Sequence, residues 1–284
     1  MAKIGDLLAV ERTSSFEFSP PKSDEAARAL ESVIEDLAAL TPSFVSVTYG
    51  ALGSTRERTR DVVIRIDGDH SFPAMPHLTC VGHTRDQLLT LVEEYRAAGI
   101  ENILALAGDP PADGSEAEGD FTFATELIEL VRDVGDFSVG AAAFPEVHPR
   151  SPDRETDRRY LAAKLEAADF GLTQFFFEVD HYRRMVDELD ALGCTTPVLP
   201  GVMPFVSVPG TRRMAAVNGT HIPDRISERM DAVEGDAEAV RKLGVEVATE
   251  LCQRLLDADA PGLHLYAMNH ATSILDVYAN LGWL

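Results

Sequence analysis

Residues 15–48 read SFEFSPPKSDEAARALESVIEDLAALTPSFVSVT, and their pattern decides the fold. A short β-rich run, 15–18, stops before Pro20 and Pro21. Ser23, followed by Asp24 and Glu25, reads as a helix cap with acids in the first turn. Residues 26–40 then carry apolar side chains at helical spacing, and 44–48 return to a β-rich run. Strand, helix, strand in succession implies parallel pairing through a right-handed crossover.

The alternation continues to the C-terminus. Further β-rich runs lie at 77–80, 103–106, 137–143, 172–177, 197–203 and 263–266, giving eight candidate strands. Helical patterns occupy 85–98, capped by Thr84, then 121–134 and 182–192. Eight such units in 284 residues predict an α/β fold, a closed (β/α)8 TIM barrel spanning 1–284 as one domain, rather than an open doubly wound sheet. The seventh unit is irregular: 206–234 contains Pro209, Gly210, Gly219 and Pro223, predicting a long loop or broken helices. DPPADGSEAEGD, 109–120, reads as a mobile loop after the fourth strand.

Composition bounds the function. With 45% hydrophobic and 25% charged residues the chain is ordinary globular protein, which excludes disorder, collagen and coiled coil. Lys plus Arg is 25 against 47 Asp plus Glu, and the net charge of -22 would repel nucleic-acid phosphates and anionic membranes. Cys80, Cys194 and Cys252 lack CxxC spacing, arguing against a disulfide framework or structural zinc and for a reducing, cytoplasmic setting. No run approaches the ~20 apolar residues that cross a bilayer. Lysines are few (Lys3, Lys22, Lys164, Lys242), so one in a pocket-forming segment is notable.

A barrel gathers its reactive groups at the C-terminal ends of strands. Polar residues there are Glu17, Thr48, Tyr49, His77, Asp109, Glu146, His148, Gln174, Asn269 and His270. Glu17 sits between Phe16 and Phe18, where desolvation would raise its pKa and suit it to donate a proton; the alternative is an edge-strand glutamate facing water. Asp109 follows Gly108, a residue that lets a planar ligand approach the backbone; it could equally form a turn before Pro110. Gln174 offers donor and acceptor in an apolar strand, for a heteroaromatic ring edge or for a bond across the barrel. His77 and His148 lack the spacing of a zinc helix, so no metal site is expected. No GxGxxG, Walker loop or GxSxG elbow is present. Of Phe175 to Phe177, alternation turns at least one toward the lumen.

Taken in order, FEFSPPK (16–22), FVSVTYGA with STRERT, PHLTC, GDPP, AAFPEVHP and TQFFF, through to YANLG, resemble the methylenetetrahydrofolate reductase family over nearly the whole chain. The resemblance implies NAD(P)H-dependent reduction of 5,10-methylenetetrahydrofolate to 5-methyltetrahydrofolate, within one-carbon metabolism and methionine biosynthesis, with hydride relayed through noncovalent FAD. It implies Glu17 as general acid and Asp109 as the carboxylate beside flavin and pterin. Gln174, Phe176, Asn269 and His270 would meet folate. Thr48, Tyr49, His77, Ala107, Gly108, Asp109, Ala143, Phe144, His148, Asp157 and Lys164 would meet the flavin, the last two seven residues apart on the helix after the fifth strand. NADH or NADPH would be the hydride donor. Relatives form homodimers or homotetramers, and a helical face at 251–256 is expected to be exposed for pairing.

Four departures from the family pattern matter. LRGD becomes Leu106-Ala107-Gly108-Asp109, removing an arginine that would contact FAD. DAGAD becomes Glu166-Ala167-Ala168-Asp169, one residue short. The NR of the last strand becomes Asn269-His270, and Phe144 replaces a frequent tyrosine. They motivate a second reading, an FAD-independent reductase passing hydride directly from NADH to methylenetetrahydrofolate in a ternary complex. A third reading is a noncatalytic folate- or flavin-binding barrel.

Overall fold

The computed structural model describes residues 2–49, 56–108 and 119–284. Nine parallel strands are β1 (Thr13–Phe18), β2 (Phe44–Val47), β3 (Ala74–Thr79), β4 (Asn102–Leu106), β5 (Ser138–Ala143), β6 (Phe170–Thr173), β7 (Val198–Leu199), β8 (Gly201–Val202) and β9 (Gly262–Tyr266). The sheet order is β7-β6-β5-β4-β3-β2-β1-β9-β8. Since β7 pairs with β6 and β8 with β9, the two short strands are halves of the predicted seventh strand, and together they close the barrel. The break falls at Pro200, which has no N–H to give a ladder, although its carbonyl still accepts from His264 N at 3.0 Å.

The helices are α1 (Ile4–Val10), α2 (Asp24–Ala38), α3 (Arg56–Asp69), α4 (Arg85–Ala97), α5 (Ala124–Val134), α6 (Arg154–Glu166), α7 (Val179–Ala191), α8 (Val208–Asn218), α9 (Asp224–Val233), α10 (Ala237–Asp257) and α11 (Ala271–Leu281). Both expected caps are present. Ser23 accepts from Ala26 N, and Thr84 and Gln87 form a reciprocal capping box. The irregular seventh unit consists of broken helices, α8 and α9, followed by the long α10.

Period-two alternation divides the barrel side chains. Phe44, Met75, Leu104, Phe170, Leu172 and Leu199 form one buried cluster with Ile4 of α1. Gly140 makes room there, because a Cβ at that position would stand 2.6 Å from the Phe170 ring. The opposite faces, including Phe16, Phe18, Val45, Val47 and Leu265, pack against the helices in the main core.

Three expectations are corrected. β6 ends at Thr173, four residues short of the predicted 177. Phe175 and Phe177 pack with Met203 and Phe205, whereas Phe176 stacks on Tyr182 of α7 at 6.2 Å, so the expected substrate contact faces the helix layer. The 251–256 segment is not an exposed pairing face: Leu251, Cys252 and Leu255 are buried, because α10 must cover the barrel between β8 and β9.

Candidate active site

Inward-facing residues at the C-terminal strand ends open into a cavity of about 610 Å³. Of the residues singled out above, Glu17, Thr48, Tyr49, His77, Ala107, Gly108, Phe144, His148, Lys164 and Gln174 line it. Asp109 lies outside the described residues. Ala143 is buried in the core behind the wall.

Glu17, on β1, is the one carboxylate among the described residues that line the cavity, with a side chain only 15% exposed. Two imidazoles approach its Oε2: His77 Nε2 at 3.4 Å from β3 and His264 Nε2 at 3.5 Å from β9. The His77 contact misses hydrogen-bond geometry, so that buried nitrogen has no hydrogen-bond partner among the described residues. Burial, the largest influence, pushes the Glu17 pKa up, but hydrogen bonding to His264 and the charges of His77 and His264 bring it below the ordinary value. This corrects the sequence expectation of a raised pKa. Desolvation by the phenylalanines was legible, and the neighbours across the lumen were not. His77 itself is pushed down to about 4 by burial, against the opposing pull of Glu17, so it is neutral at pH 7.

His264 was missed by the sequence reading. Its signal was a histidine in the middle of the apolar run GLHLY, on the same face of the strand as Tyr266. Tyr266 also lines the cavity, and its hydroxyl donates to Thr173 O at 2.8 Å.

Tyr49 is held by His83, a second omission. His83 Nδ1 faces the Val81 carbonyl at 3.2 Å and must donate to it, so Nε2 accepts the Tyr49 hydroxyl at 3.2 Å. Gly108 has φ +92, a left-handed conformation, and a Cβ there would stand 3.0 Å from Thr79 Cβ. Glycine is thus required by the turn leaving β4, in addition to any ligand. Gln174 spends its carbonyl oxygen on Phe175 N at 2.9 Å, which leaves its amide NH2 for the cavity.

The far wall is the segment between β5 and α6. Asp157 is buried and accepts from His148 N at 3.1 Å and Ser151 Oγ at 2.7 Å, so it braces this segment from behind the cavity lining. Arg158 donates to the carbonyls of Phe144, Pro145 and Glu146 at 3.2, 2.7 and 2.6 Å. Phe144 meets His148 edge-on at 4.5 Å. Lys164 is half-buried in the cavity beside Arg150 and has no ion-pair partner among the described residues. Burial lowers its pKa to about 8, against the pull of Asp157.

Asn269 and His270 are placed differently from expectation. Asn269, at φ +58, accepts from Ser19 N at 2.8 Å and donates to Ser19 O at 2.9 Å, pinning the turn after β1; His270 is exposed.

The sequence profile described as Methylenetetrahydrofolate reductase matches residues 3–282. The chain belongs to the methylenetetrahydrofolate reductase family. It is similar to the 5,10-methylenetetrahydrofolate reductase of Escherichia coli K12, with 34% identity covering 94% of this chain and 90% of that protein. It is also 34% identical to the methylenetetrahydrofolate reductase (NADH) 1 of Zea mays, over 94% of this chain and 48% of the plant protein. A Clostridium thermocellum structure, described as binding two copies of 5-methyl-5,6,7,8-tetrahydrofolic acid, superposes with TM-score 0.64 at 15% identity, covering 97% and 96% of the chains, which shows the shared fold. The chain is therefore an oxidoreductase enzyme of this family. Among the described residues no group of three or more metal-ligating side chains is found, and no helix is long and apolar enough to cross a membrane.

Proposed function

We propose that the protein reduces 5,10-methylenetetrahydrofolate to 5-methyltetrahydrofolate with NADH as donor. The observation that carries the reading is Glu17, a half-buried carboxyl lining the cavity. With folate seated and water displaced, the burial that raises its pKa would dominate and Glu17 would take up a proton; passing it to the bridging amine opens the five-membered ring to a cationic iminium, and hydride addition to its carbon leaves the methyl product. The amide of Gln174 donates to an acceptor on the pterin edge. Asp109 would supply the negative charge that favours the iminium. The names of the Escherichia coli and Zea mays relatives support substrate and donor.

The residues present fit FAD. The partnerless His77 Nε2 is a donor or acceptor for a ring edge, Ala107 and Gly108 give a low wall for a planar group, and Lys164 with Arg150 offers cationic charge to a diphosphate. A bound flavin would accept hydride from the nicotinamide and return it to the folate. Tyr49, held by His83, and Phe144, held against His148, would limit where such a ring lies.

Glu17→Gln should lower methyltetrahydrofolate formation by about 10²- to 10⁴-fold, the usual contribution of a positioned acid. NADH oxidation by a quinone should persist. Unchanged folate turnover would remove Glu17 from the chemistry. One observation favours the FAD-independent alternative: Ala107 stands on the cavity wall where the family pattern carries an arginine. A visible absorbance spectrum separates the two. Flavin bands that bleach with NADH support the relay, and a colourless, active enzyme establishes direct transfer.

A further inference from the structure

We infer that His264 is a positioning residue for Glu17: it holds Oε2 from the wall side through Nε2 and leaves Oε1 to the cavity. The inference rests on the function proposed above.

His264 is fully buried and stacks on Phe44, with ring centroids 5.8 Å apart and an interplanar angle of 14°. Its Nδ1 stands 2.8 Å from Ser15 Oγ, closer than that hydroxyl stands to the Leu263 carbonyl at 3.3 Å. With the serine donating to Nδ1, the ring hydrogen is on Nε2. Nε2 is then the donor nitrogen. It faces Glu17 Oε2 at 3.5 Å and Ser46 Oγ at 3.3 Å. Oε1 of Glu17 has no partner among the described residues. A fixed ring, a fixed tautomer and one carboxylate oxygen engaged make a pre-aimed acid, the arrangement that second partners give to reactive groups. When Glu17 releases its proton toward the cavity, the carboxylate left behind is held by the same nitrogen, so neither oxygen swings into the wall.

The ionisable groups around Glu17 are His77 on β3 and His264 and Tyr266 on β9. The Tyr266 phenol, whose pKa burial raises well above its ordinary value, brings no charge at pH 7, and the influence of His77 on Glu17 is smaller than that of the hydrogen bond to His264. Removing His264 therefore removes the main influence opposing burial, and the proton affinity of Glu17 should rise.

The test reads the Glu17 carboxyl by NMR in 13C-glutamate-labelled, ligand-free protein, the signal being assigned by its loss in Glu17→Gln. In His264→Phe, which keeps a ring on Phe44, the Glu17 midpoint should move to higher pH by about tenfold or more in proton affinity. His264→Gln, which returns an uncharged donor near the Nε2 position, should recover part of the shift and guards against failure of the first variant to fold. In turnover, the pH above which kcat falls should move upward in His264→Phe, with kcat changing more than KM. A Glu17 midpoint unmoved in both folded variants would overturn the inference. A shifted midpoint in a protein without folate reductase activity would support the pairing while overturning the function it serves.

Discussion

At the scale of single residues, charge and solvation decide what each group can do. Lys164 shows this clearly. Its ammonium lies half-buried in a chain of net charge -22, without a close carboxylate, and its pKa stands near 8. A lysine is charged below its pKa, so attraction for a diphosphate is complete below pH 7 and fades as pH rises through about 8. Fluorescence titration with FAD between pH 6.5 and 9.5 should show affinity falling across that window. Lys164→Met should bind more weakly and lose the dependence; a wild-type affinity flat to pH 9.5 would remove Lys164 from the anion site. Lys164 stood out in the sequence because lysine is rare there. His264 did not, because its meaning lies in Ser15 and Glu17 on β1 and Ser46 on β2, all distant from it in the chain.

At the scale of elements, the β5–α6 segment is the part of the site whose shape depends on one buried cation. Arg158 bonds three successive carbonyls and reaches Glu188 Oε2 at 2.8 Å, with Asp157 also in contact. Glu188 would be raised by burial, yet Arg154, Arg158 and Arg184 hold it down at about 2. A depressed carboxylate contributes stability above its unfolded value, and that contribution is lost as pH falls from about 4.5 toward 2. Arg158→Met leaves carbonyls and carboxylates without their donor, and removal of one partner from a buried ion pair costs about 3–5 kcal/mol. Urea unfolding should show that loss, and cofactor affinity should fall with it because Phe144, His148 and Arg150 ride on the segment. A variant as stable as wild type would mean that the loop is held from elsewhere. None of this network follows from periodicity. The helix α6 entered the sequence reading only through the family resemblance, and the carbonyls that Arg158 gathers belong to an irregular segment with no pattern to read.

For the whole molecule, the surface charge is the dominant feature. Exposed ion pairs such as Arg159 with Glu155 are worth at most about 1 kcal/mol each, whereas 22 uncompensated negative charges repel at longer range. Screening weakens both, and the repulsion has more to lose. Raising salt from about 0.01 M to 1 M shortens the screening length from about 30 to 3 Å, so the melting temperature should rise by several degrees. A fall in calorimetry would show that the ion pairs outweigh the net charge. Closure of the barrel offers a second test. Ile4 lies fully buried in the inner cluster, and α1 is tied to the strands by Ile4 N to Asn102 Oδ1 at 2.7 Å and Gly5 N to Ser138 Oγ at 3.0 Å. Ile4→Ala should cost about 2–5 kcal/mol in urea unfolding, as for other buried aliphatic truncations. Near-native stability would mean that α1 is an ornament on the barrel.

The sequence by itself determined the architecture and the family. Alternating periods of two and 3.6 residues are local properties, and they specified the succession of strands and the caps at Ser23 and Thr84. Tertiary structure alone decided the split at Pro200, the turning of Phe176 toward Tyr182, the burial of Leu251, Cys252 and Leu255, and the ionisation of Glu17. The reason is range: a side chain's neighbours across a barrel lumen come from segments up to about 250 residues away, and their charges and hydrogen bonds outweigh the apolar flanks that the local sequence displays.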